Sequence, residues 1–570
     1  MRRRGLLFAA MLAANACSGD DASDASIAEP CERAVCGVTR IEPAEPVSLR
    51  GCTYASPVAY EGAEGSEVLL VAGETVSALS IDGELLWSVT LPAPEGEMAF
   101  AVATPVRVGA RLVVGYHTVE RTSEPHDVNR ERERQMMAVI DLSARRIDDA
   151  FEPLELHADF PANDGEVVPF TATNTLGRAL TYVPTDAELG LVYATFGNAR
   201  DIQPWHGFIF EVDLDAWLEG GDASAIRASF LSTPEADCGT PGTSGSRERV
   251  CGGGMWSPAG ALLVERASGP ELFVSTSNGQ LDLDRNDFAN SVLRLRPGLD
   301  FDPGCDASAC ADFDRDQPAR ECLESCENVF IPRVGPGDAF PMPESGACDG
   351  LSLFECWQEL DYIGGSTPAY VELASGKELL AYPTKDGALY LFDADHLGTM
   401  YDRKQLVAVC GTTSDECLWD WAGMIVTQPA VTEVDGDPLL LVPTFMPDST
   451  HPAGVVAVAV VEREDGPKLE LRWQAPSFDE PASIERFRRH TSRIRLSHGG
   501  QVAWLVEVAP KDGQGRLLAL RADDGRILID QPMRGPGYRF TQPLVIEDRI
   551  FLPSCQPDLG PSALEIFEID

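Results

Sequence analysis

From about residue 55 onward, short apolar runs alternate with polar turns at the period of strands rather than helices. EVLLVAGETVSALSIDGELLW (67–87) shows the pattern, with two β-branched runs and a third that meets an Asp-Gly turn. The same order returns in KELLAYPTKDGALYLFDAD (377–395) and GRLLALRADDGRILI (515–529), and more loosely in DPLLLVPTF, GVVAVAVVE and LELRW. Asp-Gly between such runs makes hairpins. Six units are headed by a Ser, Thr or Gln before a proline: Ser56-Pro57, Thr104-Pro105, Ser257-Pro258, Thr367-Pro368, Gln428-Pro429 and Gln542-Pro543. Proline has no amide to donate, so it suits the first position of a strand. ATNTLGRALTYVP and SRIRLSHGGQVAWLVEV mark two less regular units and bring the count to eight.

Units of about 45 to 110 residues, each a small antiparallel sheet, bury little alone and become stable by stacking around an axis. The expected fold is therefore all-β, an eight-bladed β-propeller over residues 46–570, with seven blades as the fallback and an array of sandwiches third. No long segment has helical periodicity, which confines helices to insertions. The largest insertion, 299–357, holds six cysteines (Cys305, Cys310, Cys322, Cys326, Cys348, Cys356) and is expected to be a disulfide-rich loop on one rim.

The first residues, MRRRGLLFAAMLAANAC, place three arginines before an apolar run that stops at Cys17. That run is too short to span a bilayer and has the layout of a bacterial export leader. Ala14, Asn15, Ala16 and Cys17 resemble a lipobox, against the plainer reading of an ordinary cleaved leader with a chance cysteine. Residues 1–17 are thus expected to be a lipoprotein signal with Cys17 lipidated, residues 18–45 a flexible acidic tether, and Ser18 an outer-membrane sorting signal. The net charge of −45 excludes nucleic acid as a partner. Reserving Cys17 for lipid leaves an even number of the 15 cysteines, which in an exported chain reads as disulfides. Local pairs are expected at Cys31–Cys36, Cys238–Cys251 and Cys410–Cys417. Cys52 and Cys555 flank the first and last units, so they are expected to pair and close the ring. No C-x-x-C, C-x-x-C-H, H-E-x-x-H or G-x-S-x-G occurs, which argues against zinc, covalent haem and serine-hydrolase chemistry. DLDRND (282–287) spaces Asp282, Asp284 and Asn286 like the start of a calcium loop but lacks the later glycine and glutamate. RFRRHTSRIR (486–495) is the one basic cluster, a loop balancing carboxylates or a dock for an acidic partner.

GGGMWSPAG (252–260), ELFVSTSNGQ (271–280), NDFANSVLRL (286–295) and DYIGGSTPAYVELASGKELLAYPTKDGALYLFD (361–393) resemble, in order, the quinoprotein alcohol dehydrogenase-like propellers, particularly the polyvinyl-alcohol-dehydrogenase-like branch. The resemblance implies a pyrroloquinoline quinone (PQQ) in the central funnel, stacked on a tryptophan beside a calcium held by a glutamate and an asparagine, with an aspartate as base. By that pattern Trp256 is the stacking floor, Asn278 a calcium ligand and Lys385 the cation contacting the quinone. In YATFGNARDIQPWHG only Asp201 stands near the expected glutamate, and Asp361 is the candidate base, but Ile363 replaces the second carboxylate of that motif. The plainer roles are a blade-docking aromatic for Trp256, a turn residue for Asn278 and a solvated hairpin residue for Lys385. Two functions follow. The first is a non-catalytic, lipid-anchored scaffold presenting its propeller rim to envelope or extracellular proteins, at the periplasmic or surface face of the outer membrane. The alternative is a PQQ- and calcium-dependent dehydrogenase oxidising an alcohol or sugar.

Overall fold

The computed structural model describes residues 35, 37–42, 48–49, 55–62, 65–121, 132–162, 165–173, 175–198, 202–239, 250–316, 318–335, 350–352, 355–357, 363–407, 425–445, 453–476, 486–488, 491–509, 513–537, 539–554 and 562–570. Eight antiparallel sheets follow one another as blades of a propeller. Their inner strands are Val58–Gly62, Val106–Val108, Thr175–Val183, Leu262–Arg266, Ala369–Glu372, Ala430–Val434, Arg495–Ser497 and Leu544–Ile546, which define blades 1 to 8. GRLLALRADDGRILI and SRIRLSHGGQVAWLVEV, which the pattern leaves as separate marks, are the two halves of blade 7, where Val502–Glu507 pairs with Arg516–Arg521.

Each sheet is covered on both faces, because alternate side chains of a strand point to opposite neighbours. In blade 6, Leu440 and Val442 pack with blade 5, while Leu439 and Leu441 pack with blade 7. This explains why the central strands read as unbroken apolar runs, DPLLLVP and VVAVAVVER, rather than as polar–apolar alternation. Each fully buried Leu or Val contributes about 1.5–3 kcal/mol. Burial of these faces therefore favours the stacking of the blades.

The Ser/Thr/Gln-Pro heads tie the blades together at the axis. Ser56 N–H donates to Thr104 Oγ1 at 2.9 Å, and Thr104 N–H to Arg178 O at 2.9 Å. Thr181 Oγ1 donates to Ala261 O at 3.1 Å, and the Ser257 and Thr367 hydroxyls meet at 2.5 Å. Gln428 Nε2 donates to Pro368 O (3.1 Å), Arg493 Nη2 to Gln428 Oε1 (3.4 Å) and Gln542 Nε2 to Ile494 O (2.7 Å). The Gln542 N–H to Ser56 Oγ bond, 2.9 Å, completes the circuit from blade 8 to blade 1. Proline removes an amide that this crowded ring could not satisfy, and the preceding hydroxyl or amide side chain supplies the link.

Residues 38–41 correct the tether expected up to residue 45. Val38–Ile41 is the outermost strand of blade 8, antiparallel to Ser562–Ile569, so both ends of the chain share one blade. Val38 and Ile41 pack on the apolar sides of that sheet, which ordered burial favours over a solvated linker. The cysteines proposed to close the ring, Cys52 and Cys555, lie outside the described residues, as do Cys17, Cys31, Cys36, Cys348, Cys410 and Cys417.

The insertion after residue 299 contains a short helix, Arg320–Ser325, and is stapled by Cys305–Cys326 and Cys310–Cys322. Cys356 is disulfide-bonded as well. The insertion also supplies Val329–Phe330, the outer strand of blade 4. Hydrogen bonds from Leu397 N–H to Glu327 O (3.1 Å) and Gly398 N–H to Cys326 O (2.8 Å) dock it on blade 5. Among the described residues, no helix is long and apolar enough to cross a membrane.

Candidate functional site

In an antiparallel blade, the approach to the inner strand and the hairpin between the second and third strands lie at the same end. Those segments from successive blades converge on one mouth of the axial channel. Trp256 belongs to the approach of blade 4, Asn278 to its hairpin and Lys385 to the hairpin of blade 5.

Three glycines set Trp256 beside Asn278. Gly252 has φ +75°, and a Cβ there would lie 2.1 Å from Asn278 O and 2.3 Å from Gly279 Cα. Gly253 N–H donates to Asn278 O at 2.9 Å, and Ser277 N–H to Gly254 O at 3.0 Å. The Gly-Gly-Gly run thus lies flat on the Asn278 hairpin, as no larger residue could. Across the indole, Gly365 (φ +83°) is equally constrained, since its Cβ would lie 2.4 Å from Trp256 Cζ2.

Lys385 Nζ lies 4.9 Å from the centroid of the Trp256 ring, a cation–π contact. Lys385 is 1% exposed, which corrects the solvated-hairpin reading. Its turn is held by a buried carboxylate. Asp386 accepts from Thr384 Oγ1, from Ala388 N–H (3.1 Å), from Tyr390 OH (3.2 Å) and from Arg403 Nη2 (3.0 Å). Burial and Asp386 together raise the Tyr390 hydroxyl well above its ordinary range, so it stays a neutral donor. Asn278 is buried, and its side-chain amide makes no hydrogen bond among the described residues.

The structure therefore brings together Trp256, Lys385 and Asn278. Asp201 and Asp361 lie outside the described residues, and Ile363 is fully buried. The sequence pattern misses Phe540, whose ring centroid lies 6.2 Å from that of Trp256 at an interplanar angle of 70°. Phe540 comes from the approach to blade 8, four blades on, so the two rings meet across the axis. Arg178 Cζ and Arg539 Cζ stand 5.5 and 5.1 Å from the Phe540 centroid. The signal was available, because Phe540 stands just before the Gln542-Pro543 head, much as Trp256 stands before Ser257-Pro258.

Asp282 accepts from Asp284 N–H (3.1 Å), capping a short 3-10 turn that Asn286 ends in the left-handed region (φ 61°). Asp287 is buried and accepts from Glu235 N–H at 2.9 Å. Burial pushes its carboxyl up from 3.8 to about 7. A raised acid pKa gives stability that is complete below the unfolded value and lost as pH rises through the folded one. Asp287→Asn keeps the acceptor and cannot ionise, so urea unfolding should show its advantage over wild type growing by a few kcal/mol between about pH 4 and about pH 8. A pH-independent difference would contradict this.

Cys238 and Cys251 are joined by a disulfide beside His206, whose Nε2 lies 3.7 Å from Cys238 Sγ. Among the described residues, this trio and Cys305, Cys310 and Cys326 are the clusters of three metal-ligand types, and both contain disulfide cysteines.

No known family profile matches the sequence, and no curated protein is detectably similar to it. Its backbone resembles that of a quinohemoprotein alcohol dehydrogenase, ADHIIG, from Pseudomonas putida HK5, with a TM-score of 0.52 and 13% identity over 92% of this chain and 75% of that one. What the two share is the propeller fold. A quinohemoprotein alcohol dehydrogenase from Comamonas testosteroni aligns over 94% of this chain and 76% of its own, at 13% identity and a TM-score of 0.47.

Proposed function

We propose that the axial site binds a quinone such as PQQ and that the protein is a quinone-dependent dehydrogenase acting on an alcohol or sugar. The observation that supports this best is the Lys385–Trp256 stack, a flat aromatic face with a desolvated cation above it, its edge packed closely against Gly365. A planar anionic ring suits that chemistry, and stacking contributes about 0.5–1.5 kcal/mol beyond area burial. The free, buried amide of Asn278 suits a calcium beside it, with Asp201 as the further ligand and Asp361 as the base in this reading. When bound, the quinone supplies a two-electron, two-proton acceptor, so that R2CHOH becomes R2C=O as quinone becomes quinol. This chain's residues contribute the floor at Trp256, the counter-charge at Lys385 and water exclusion through Phe540.

Absorbance titration with PQQ and calcium chloride tests the reading. Uptake of one quinone per chain, weakened at least about tenfold by Trp256→Ala (~1.4 kcal/mol), is expected, and no uptake at tens of micromolar (order of magnitude for a cofactor site) sinks it. A second reading rests on Ile363, whose burial in place of a carboxylate leaves one candidate base. In it the protein binds without turnover and serves as a scaffold whose rim meets envelope or extracellular proteins. Either activity is placed at the outer membrane through lipid on Cys17. Intact mass of membrane-extracted protein that lacked acyl chains would remove the anchor.

A further inference from the structure

Carboxylates outnumber cations 90 to 45 in this chain, and several half-buried arginines are matched by them, while Arg294 and Arg333 bond backbone carbonyls instead. Arg266 meets Glu271 and Asp395 at 3.1 Å each, Arg403 meets Asp386 at 3.0 Å, and Arg549 meets Glu568 at 2.9 Å. Two arginines at the mouth of the axis depart from this. Among the described residues, Arg493 and Arg539 form no ion pair, although both are partly buried. Arg493 Nε is enclosed without a hydrogen-bond partner, and Nη2 has only a long bond of 3.4 Å to Gln428. Burial, with Arg495 nearby, pulls the Arg493 guanidinium down to about 10, and no carboxylate offsets it. Arg539 and Arg178 lie over the Phe540 ring, and the backbone N–H of Arg493 donates to Thr541 O at 2.9 Å, so all three residues adjoin one segment, 539–541.

The group lies across the axis from Lys385 and Trp256. Lys385 lies over the Trp256 ring and is the nearer cation to a ring stacked there, whereas Arg539 lies over Phe540 on the opposite side. A neutral alcohol would leave the buried Arg493 guanidinium uncompensated, whereas a carboxylate accepts from each arginine as a charge-assisted pair. Resting on the dehydrogenase reading, we infer that the substrate is a hydroxy compound bearing a carboxylate, and that Arg493 and Arg539 hold that carboxylate opposite Trp256. The two arginines are binding residues that set specificity.

A carboxylate could also belong to the quinone, and the test separates the sources. Lactate and propane-1,2-diol differ by a carboxylate in place of a hydroxymethyl group. Calorimetry of the full chain without quinone should show lactate binding at one site, weakened by salt, with the diol at least about tenfold weaker. Arg539→Gln and Arg493→Gln should each weaken lactate about tenfold or more while quinone uptake, followed by absorbance, persists. Equal binding of lactate and diol, no lactate binding, or lactate binding indifferent to Arg539→Gln overturns the inference. So does loss of quinone uptake in Arg539→Gln, which would assign the arginines to the cofactor. Arginine-dependent lactate binding in a protein that takes up no quinone leaves the anion site standing and removes the dehydrogenase.

Discussion

Arg403→Met should cost about 3–5 kcal/mol, because it leaves the carboxylate of Asp386 buried and without its cation. Asp386 is fully buried, and among the described residues its ion pair is with Arg403 at 3.0 Å. Methionine keeps the length of the side chain but offers nothing to the charge. The backbone donor at Ala388 and the hydroxyls of Thr384 and Tyr390 remain, so the loss isolates the electrostatic part. Adding Asp386→Asn should restore most of the stability, since no charge is then stranded. Urea unfolding of the two variants decides it, and equal losses in single and double variants would mean that Arg403 acts through packing. The effect should reach the site, because Lys385 sits between Thr384 and Asp386 in the same turn and depends on it for its place above Trp256.

A comparable loss, about 3–6 kcal/mol, is expected for Gly252→Ala. The added methyl would meet backbone, Asn278 O at 2.1 Å and Gly279 Cα at 2.3 Å, which cannot swing away as a side chain would. It would also demand φ +75° of a residue with a Cβ. Typical net stabilities are about 5–15 kcal/mol, so the variant should melt far lower or fail to accumulate. Gly298→Ala is the control, since that glycine also has positive φ (+95°) but nothing within 4 Å. If both variants lost the same stability, backbone strain alone would account for it.

The strand pattern made the blade count legible because each unit repeats one local problem, a sheet whose two faces must both be covered. The Ser/Thr/Gln-Pro heads were visible too, and their hydrogen-bonded circuit gives them a physical reason. Within the site, Trp256, Asn278 and Lys385 could be found because each sits in a local motif with glycines. Phe540 was marked only by its place before the Gln542-Pro543 head, and Arg493 and Arg539 carried no such mark, since they reach the axis from blades 7 and 8, more than two hundred residues from Trp256 in sequence. Lys385 looked solvated because Asp-Gly turns usually are, and only the neighbouring Arg403 reveals that Asp386 is an anchor. Val38–Ile41 was lost in an acidic stretch, as an outer strand carries little hydrophobic signal of its own.

The place of Val38–Ile41 in blade 8 orders events in time. This strand leaves the ribosome some five hundred residues before its partner, Ser562–Ile569, exists. Seven blades can form from neighbours in sequence, but the eighth must wait for both ends of the chain to meet. Until then blades 1 and 7 each present an uncovered apolar face, the sort of surface that captures another chain. A chain stalled shortly before its last strand is therefore the species most exposed to aggregation, and completion of its final thirty residues converts an open arc into a ring.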